Sequence, residues 1–411
     1  MRILFVSEGF QEKSIIAQPW RYTYEIANQF VKQQHEVAFA TDSPYTNTRK
    51  EAVIRNISAC ILPKTRLPPV MSLRMDPREV RSVVKEFSPD VIHWDGGALI
   101  GNYIRRLKSI NIPIIVHISA NVYSFKDIHL PIQEYRSLEY SFLIYLFTMS
   151  SPLARPLICL LNQRAINLIT VPNLAIKRKL IENGALESKI RVIPTPFYRD
   201  ELFPNENLRD TIKIRERIGL DIEDFIVTYF GPSPTYRGTD TLLYAVAKLK
   251  PKLPHLKLLM LLRQRFERED TAEKLLRKHT SKLMLGDSVK FTRGILERED
   301  LIRFMQTSNA IALPFKFLLN EPPLTVLETM ALSKPLITTR VSGLPELIGN
   351  DRGLLVKPGN VNELAKAIYY MAKNPEEANA LGRRAGEYVS KLPDWSKLAK
   401  CILALFEHIL N

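Results

Sequence analysis

Phe225-Ile226-Val227-Thr228-Tyr229-Phe230-Gly231 ends a strand-favouring run on a glycine, and a short loop then leads to Arg237-Gly238-Thr239-Asp240. Leu242, Leu243, Val246 and Leu249 follow at helical spacing. A buried strand, a loop and an amphipathic helix in that order make a βα unit. In open α/β sheets, ligands bind beyond the carboxyl ends of the strands. A glycine there lets backbone approach a phosphate, and an arginine can grip one bidentately. Taken alone the signal is weak, because any βα unit can carry such a loop.

A stronger feature lies downstream. Leu313-Pro314 ends a strand, and Asn320-Glu321-Pro322-Pro323-Leu324-Thr325-Val326-Leu327-Glu328-Thr329-Met330-Ala331 follows. Prolines ahead of a helix start leave free N–H groups at the first turn, which with the helix dipole attract a diphosphate. Glu328, one turn inside, can accept two hydrogen bonds from a ribose diol; equally, a glutamate so placed answers the dipole with no ligand at all. Lys334-Pro335-Leu336-Ile337-Thr338-Thr339 reads as the next strand. It runs into Val341-Ser342-Gly343-Leu344-Pro345-Glu346, then Arg352-Gly353-Leu354-Leu355-Val356.

The same alternation extends in both directions. Apolar, β-branched runs at 3–6, 37–41, 91–94 and 114–118 form one series. Those at 225–230, 256–262, 289–292, 310–314, 336–339 and 354–356 form another. Helix-period segments lie between them, which signals βαβ units and parallel sheets. Residues 190–204, with Pro194, Pro196 and Pro204, read as a connection between the two series. A chain of 411 residues exceeds what one core usually supports. The expected fold is therefore α/β, with two Rossmann-like doubly wound domains at 1–204 and 205–394. Residues 395–411, with Trp395, Leu398, Ile402, Leu405 and Ile409, are expected to form a last helix packing back on the first domain.

Composition narrows the function. A net charge of +15 is spread through both halves, and nothing resembles a nucleic-acid module, so phosphorylated substrates or an anionic membrane surface are the expected partners and nucleic acid is not. Three cysteines, Cys60, Cys159 and Cys401, stand far apart. That fits a reducing, cytoplasmic compartment and no metal site. The apolar start at 3–6 is too short for a signal sequence. Residues 140–154 carry no charge, and Lys177-Arg178-Lys179 follows. The segment 140–179 fits either a buried helical hairpin or a surface that meets anionic lipid on the inner membrane face.

The order Gly231…Arg237-Gly238, Glu328-Thr329-Met330-Ala331, Lys334-Pro335-Leu336-Ile337, Gly343-Leu344-Pro345-Glu346 and Gly353-Leu354-Leu355-Val356 resembles the C-terminal domain of the large retaining glycosyltransferase family four, of GT-B fold. The first half adds His35-Glu36-Val37, Ser88-Pro89-Asp90-Val91-Ile92-His93 and Ile114-Ile115-Val116-His117. The resemblance implies two domains facing each other across a cleft that binds a nucleotide diphosphate sugar, UDP- or GDP-linked. It implies a metal-independent transferase without other cofactors. Arg237 takes the place of the basic residue on the diphosphate, Gly231 and the backbone of Leu324 and Thr325 face the phosphates, and Glu328 matches the acid on the ribose. His117 matches the histidine near the reacting sugar; a lone histidine after an apolar strand is also an ordinary hydrogen-bonded core residue.

Four departures from the family pattern stand out. Its members usually carry a glutamate eight positions before the one matching Glu328; Asn320 stands there, with Glu321 beside it and able to take the role. Pro232 replaces an arginine often found after Gly231. Arg263-Gln264-Arg265 replaces a glycine-rich turn, and Gln18-Pro19-Trp20-Arg21 replaces paired glycines after the first strand. The expected acceptor is a lipid-linked sugar or a polysaccharide at the cytoplasmic membrane face. The alternatives are a non-catalytic homologue serving as a partner subunit, and an epimerase or phosphorylase of the same fold.

Overall fold

The computed structural model describes residues 1–15, 19–42, 48–63, 75–96, 100, 103–104, 111–121, 123–124, 150–151, 154–197, 208–262, 267–292 and 296–411. The chain divides into two compact units. The first comprises Met1–Pro196, Leu319–Pro322 and Pro393–Asn411, and the second Phe197–Leu318 and Pro323–Leu392. Among the described residues no helix is long and apolar enough to cross a membrane.

The first unit is built on β1 (Arg2–Ser7), β2 (Glu36–Asp42), β3 (Lys50–Ile54), β4 (Ile57–Leu62), β5 (Val91–Gly96), β6 (Ile114–Ile118), β7 (Ile166–Val171) and β8 (Ile190–Val192). They lie in the order β8-β7-β6-β5-β1-β2-β4-β3, all parallel except the β3–β4 pair. Chain order reverses at β1, which β2 and β5 flank; this is the switch point where such sheets open a crevice. The helices are α1 (Trp20–Lys32), α2 (Pro77–Phe87), α3 (Ala154–Cys159) and α4 (Leu174–Glu182), with the C-terminal helix Trp395–Leu410.

Both faces of the sheet's centre are covered, which is why β1, β2, β5 and β6 read as apolar runs, while edge strand β3 keeps Lys50, Glu51 and Val53 exposed. Leu4, Val6, Ala40, Ile92, Trp94 and Val116 form one core with Val80, Val83 and Val84 of α2. On the opposite face, Phe5 and Phe39 lie under α1 and the C-terminal helix. The Phe5 and Phe30 ring centroids are 6.0 Å apart, and those of Phe30 and Phe406 are 5.6 Å apart. Asp394 starts the C-terminal helix, its carboxylate accepting from the Lys397 amide at 2.7 Å.

The second unit holds β9 (Phe225–Gly231), β10 (Leu256–Leu262), β11 (Val289–Thr292), β12 (Ala310–Leu313), β13 (Leu336–Thr339) and β14 (Leu354–Val356), in the order β11-β10-β9-β12-β13-β14. Every pair is parallel, and β9 lies at the switch point between β10 and β12. Around the sheet run α5 (Leu208–Arg217), α6 (Thr239–Leu249), α7 (Glu267–Lys282), α8 (Arg298–Thr307), α9 (Leu324–Ala331), α10 (Leu344–Ile348), α11 (Val361–Lys373) and α12 (Pro375–Ser390).

At the amino edge of this sheet, Ile212, Ile222, Phe225 and Met371 help line a cavity of about 370 Å³. Its two cations are already engaged at the end of α8. Lys334 Nζ donates to the carbonyls of Gln306 at 2.6 Å and Ser308 at 3.2 Å, and Arg215 donates to that of Thr307 at 2.7 Å. Cations at a helix C-terminus answer its dipole, so this cavity is a structural seam.

The C-terminal helix owes its place to buried aromatic packing. Phe406→Ala is expected to cost about 3–5 kcal/mol, read from urea unfolding of the whole chain. A loss under about 1 kcal/mol would mean that this helix is not packed on α1.

Candidate active site

At the carboxyl edge of the second unit's sheet, β9 ends on Gly231, whose φ is 131°. A single helical turn, Thr235–Arg237, then leads to Gly238 at φ 77°. A Cβ on Gly238 would lie 1.8 Å from the carbonyl oxygen of Pro314, so only glycine permits this approach. The turn is pinned from the other side as well, because the Tyr236 carbonyl accepts from the amides of Lys316 at 2.9 Å and Phe317 at 3.1 Å. Lys316 Nζ meets the Asp240 carboxylate at 2.8 Å, a pair mostly shielded from water.

This packing brings Arg237 to Gly231. A Cβ built on Gly231 would lie 3.6 Å from an Arg237 terminal nitrogen and 3.9 Å from Thr325 Cγ2. The Arg237 guanidinium lies over the Phe315 ring at 5.4 Å, an aromatic floor that the sequence did not reveal. Arg237 Nε and Thr325 Oγ1 are both buried and make no hydrogen bond. Thr325 is the second residue of α9, where backbone N–H groups have no helical partner. Gly231, Arg237 and Thr325 thus converge on one point with a helix N-terminus beside it. Leu324 begins α9, and half-buried Glu328 follows Thr325 by three residues along the same helix.

His117 belongs to the first unit. Its side chain is only 1% exposed, in the core beneath α1. Nδ1 lies 3.0 Å from Thr170 Oγ1, and the ring stacks on Tyr22 at 3.8 Å with an interplanar angle of 11°. Burial, and then the neighbouring His93 at 6.4 Å, holds the His117 pKa well below the usual imidazole value. His93 is fully buried with neither ring nitrogen hydrogen-bonded, and burial pushes it down to about 3. Asp95 is the strand partner of His117; its Oδ2 accepts from Thr23 Oγ1 at 2.5 Å and its buried Oδ1 has no partner. Burial, opposed by that hydrogen bond, raises Asp95 to about 7. Sequence reasoning missed Tyr22, Asp95 and Thr170; the two-residue spacing of His93 and Asp95 on one strand was the available signal.

Glu321 also sits with the first unit. Its amide donates to the Ser119 carbonyl at 2.9 Å, and its carboxylate accepts from the side-chain amides of Asn121 at 3.2 Å and Asn173 at 2.6 Å. Asn173 at the same time caps α4, its Oδ1 accepting from the Ile176 amide at 2.9 Å. Glu321 is 2% exposed, while neighbouring Asn320 forms an isolated bridge with Ala120.

Of the other sequence features, Gln18, the turn 263–265 and most of 140–153 lie outside the described residues. Within 154–179, Lys177 pairs with Glu187 at 2.9 Å and Lys179 with Glu182 at 3.3 Å. Among the described residues, no group of His, Cys, Asp and Glu side chains gathers in a way that could hold a metal ion.

Two doubly wound parallel sheets, each with its switch point, are the architecture of the GT-B fold. The chain belongs to the glycosyltransferase family matched by "Glycosyltransferase Family 4" over residues 20–200 and "Glycosyl transferases group 1" over residues 210–388. It is similar to a sulfoquinovosyl transferase of Arabidopsis thaliana, 23% identical over 79% of this chain and 58% of that protein. It is also similar to a D-inositol 3-phosphate glycosyltransferase of Corynebacterium urealyticum, 24% identical over 56% of this chain and 54% of that protein. The chain thus spans little more than half the length of these curated relatives. Among solved structures it resembles sucrose-phosphate synthase from Thermosynechococcus elongatus, with a TM-score of 0.77, 18% identity and coverage of 100% and 99% of the two chains. Anabaena HepE in complex with UDP and glucose gives a TM-score of 0.73 and 16% identity over 99% of each chain.

The titrations oppose one another. Between its unfolded value near 4 and its folded value of about 7, Asp95 holds more proton in the folded state, so its contribution to stability is lost as pH rises through that window. The neutral histidines lose stability in the other direction, as pH falls below the ordinary imidazole value. The stability of Asp95→Asn relative to the parent should therefore climb by on the order of 4 kcal/mol from pH 4 to pH 7, measured by denaturant unfolding. A flat difference would mean that Asp95 is not buried as a protonated acid.

Proposed function

We propose that the protein is a retaining glycosyltransferase that moves a sugar from a UDP- or GDP-linked donor to a lipid-linked or polysaccharide acceptor at the cytoplasmic face of the membrane. The observation that carries this reading is the approach of the Arg237 and Thr325 side chains to Gly231 at the head of α9, with Arg237 Nε and Thr325 Oγ1 buried and making no hydrogen bond. Two unsatisfied donors beside a side-chain-free strand end suit the oxygens of a diphosphate.

In this reading Arg237 and the first turn of α9 hold the donor's diphosphate. As the glycosidic bond stretches, charge builds on the departing phosphate oxygen, and donors already in place stabilise it at no further reorganisation cost. Glu328 receives the ribose hydroxyls, Glu321 the donor sugar, and His117 borders the reacting carbon. The acceptor hydroxyl attacks on the face the leaving group departs from and passes its proton to the departing phosphate oxygen, so no side-chain nucleophile is required. HepE, whose structure holds UDP and glucose, supports a nucleotide-linked donor, and the sulfoquinovosyl transferase supports transfer of a sugar. The charge of +15 supports a phosphorylated or membrane-borne acceptor.

The test is nucleotide release from a panel of UDP- and GDP-sugars, with and without polyprenyl-phosphate-linked sugar and membrane extract. One donor should turn over only with acceptor present. Arg237→Ala should lower kcat/KM by about a hundredfold or more, through loss of a charge-stabilising donor. Glu328→Ala should act mainly by raising KM for the donor. Folded protein that neither binds nor hydrolyses any donor would favour the non-catalytic partner instead.

A further inference from the structure

The α1 side of the first unit's sheet ends in a row of buried polar residues: Ser7 pairs with Asp95, Asp95 with His117, and His117 with Thr170 on successive strands. All four are at most 3% exposed, an expensive arrangement for a core unless the groups fix one another. We propose that Tyr22 and Thr170 are positioning residues that hold His117 as a single neutral tautomer, with the proton on Nδ1 and the lone pair on Nε2. This rests on the reading that His117 borders the reacting sugar.

Thr170 Oγ1 lies 3.5 Å from the Val116 carbonyl as well as 3.0 Å from His117 Nδ1. A hydroxyl has one proton. Given to the carbonyl, it leaves Oγ1 as an acceptor, and Nδ1 must then carry the hydrogen. Nε2 becomes a fixed acceptor for a sugar hydroxyl. Tyr22 sets the plane, because a ring stacked at 3.8 Å and 11° blocks rotation of the imidazole. Tyr22 is itself held at both sides. Trp20 Nε1 donates to the Glu8 carbonyl at 2.7 Å, and Thr23 Oγ1 donates to Asp95 at 2.5 Å. The first turn of α1 is therefore tied to β5, the strand beside His117.

The experiment is imidazole-nitrogen NMR of the full chain with labelled histidine, with His117 assigned by loss of its signals in His117→Gln. Donor kinetics are measured on the same samples. In the parent, His117 should show the Nδ1–H pattern and no titration across neutral pH. Thr170→Val should abolish that pattern, Tyr22→Leu should give mixed tautomers, and Tyr22→Phe, which keeps the ring, should leave it intact. Thr170→Val and Tyr22→Leu should lower kcat roughly tenfold with donor KM nearly unchanged. Unaltered His117 signals in folded Thr170→Val and Tyr22→Leu would overturn the proposal. Altered signals with unchanged kcat would overturn the reading it rests on, leaving the stack as core packing.

Discussion

The candidate donor site depends on one close approach, that of Gly238 to the carbonyl of Pro314. A methyl group at Gly238 would sit 1.8 Å from that oxygen. Because nothing is there, the turn Thr235–Arg237 settles against the segment after β12 and takes two backbone hydrogen bonds from it. Arg237 is thereby laid across Phe315 and brought to Gly231 and Thr325. The site is assembled by backbone packing at a sheet switch point, and its cation is held before any ligand arrives. Preorganisation of this kind is what lets a donor stabilise a leaving group without a reorganisation penalty.

The first unit uses its strand ends differently. Asp95, His93 and His117 are all held in the core, where burial disfavours the charged form of each: it raises the pKa of Asp95 and lowers those of the two histidines. A charged group in that place would need a partner that the apolar surroundings of Phe5, Phe30 and Phe406 do not offer. The polar row is therefore suited to fixing geometry, and the Glu321 carboxylate is likewise fixed in place by the side-chain amides of Asn121 and Asn173.

Much of this was legible in the sequence. The central strands β1, β2, β5 and β6 of the first sheet and the strands of the second announce themselves as apolar runs, whereas β3, β4, β7 and β8 did not, β3 being an edge strand with Lys50, Glu51 and Val53 exposed. Gly231, Arg237 and Thr325 stood out because the βα unit and the proline-led helix each confine the backbone locally. His117 was legible as a strand-end histidine, but its 1% exposure was not, since that depends on Tyr22 of α1 being folded over it. Likewise Asn121 and Asn173 lie far from Glu321 in sequence, and no local pattern links them. Local chemistry shows in a sequence, whereas what covers a side chain is decided by tertiary packing.

The most direct measurement is calorimetric titration of the full chain with UDP, UMP, GDP and GMP, repeated on Arg237→Ala. A site built from Gly231, Arg237 and the head of α9 should bind one diphosphate at least about tenfold more tightly than its monophosphate, and Arg237→Ala should erase that preference. Equal affinity for mono- and diphosphates, or a preference that survives the loss of Arg237, would contradict the assignment of this cradle to the donor's diphosphate.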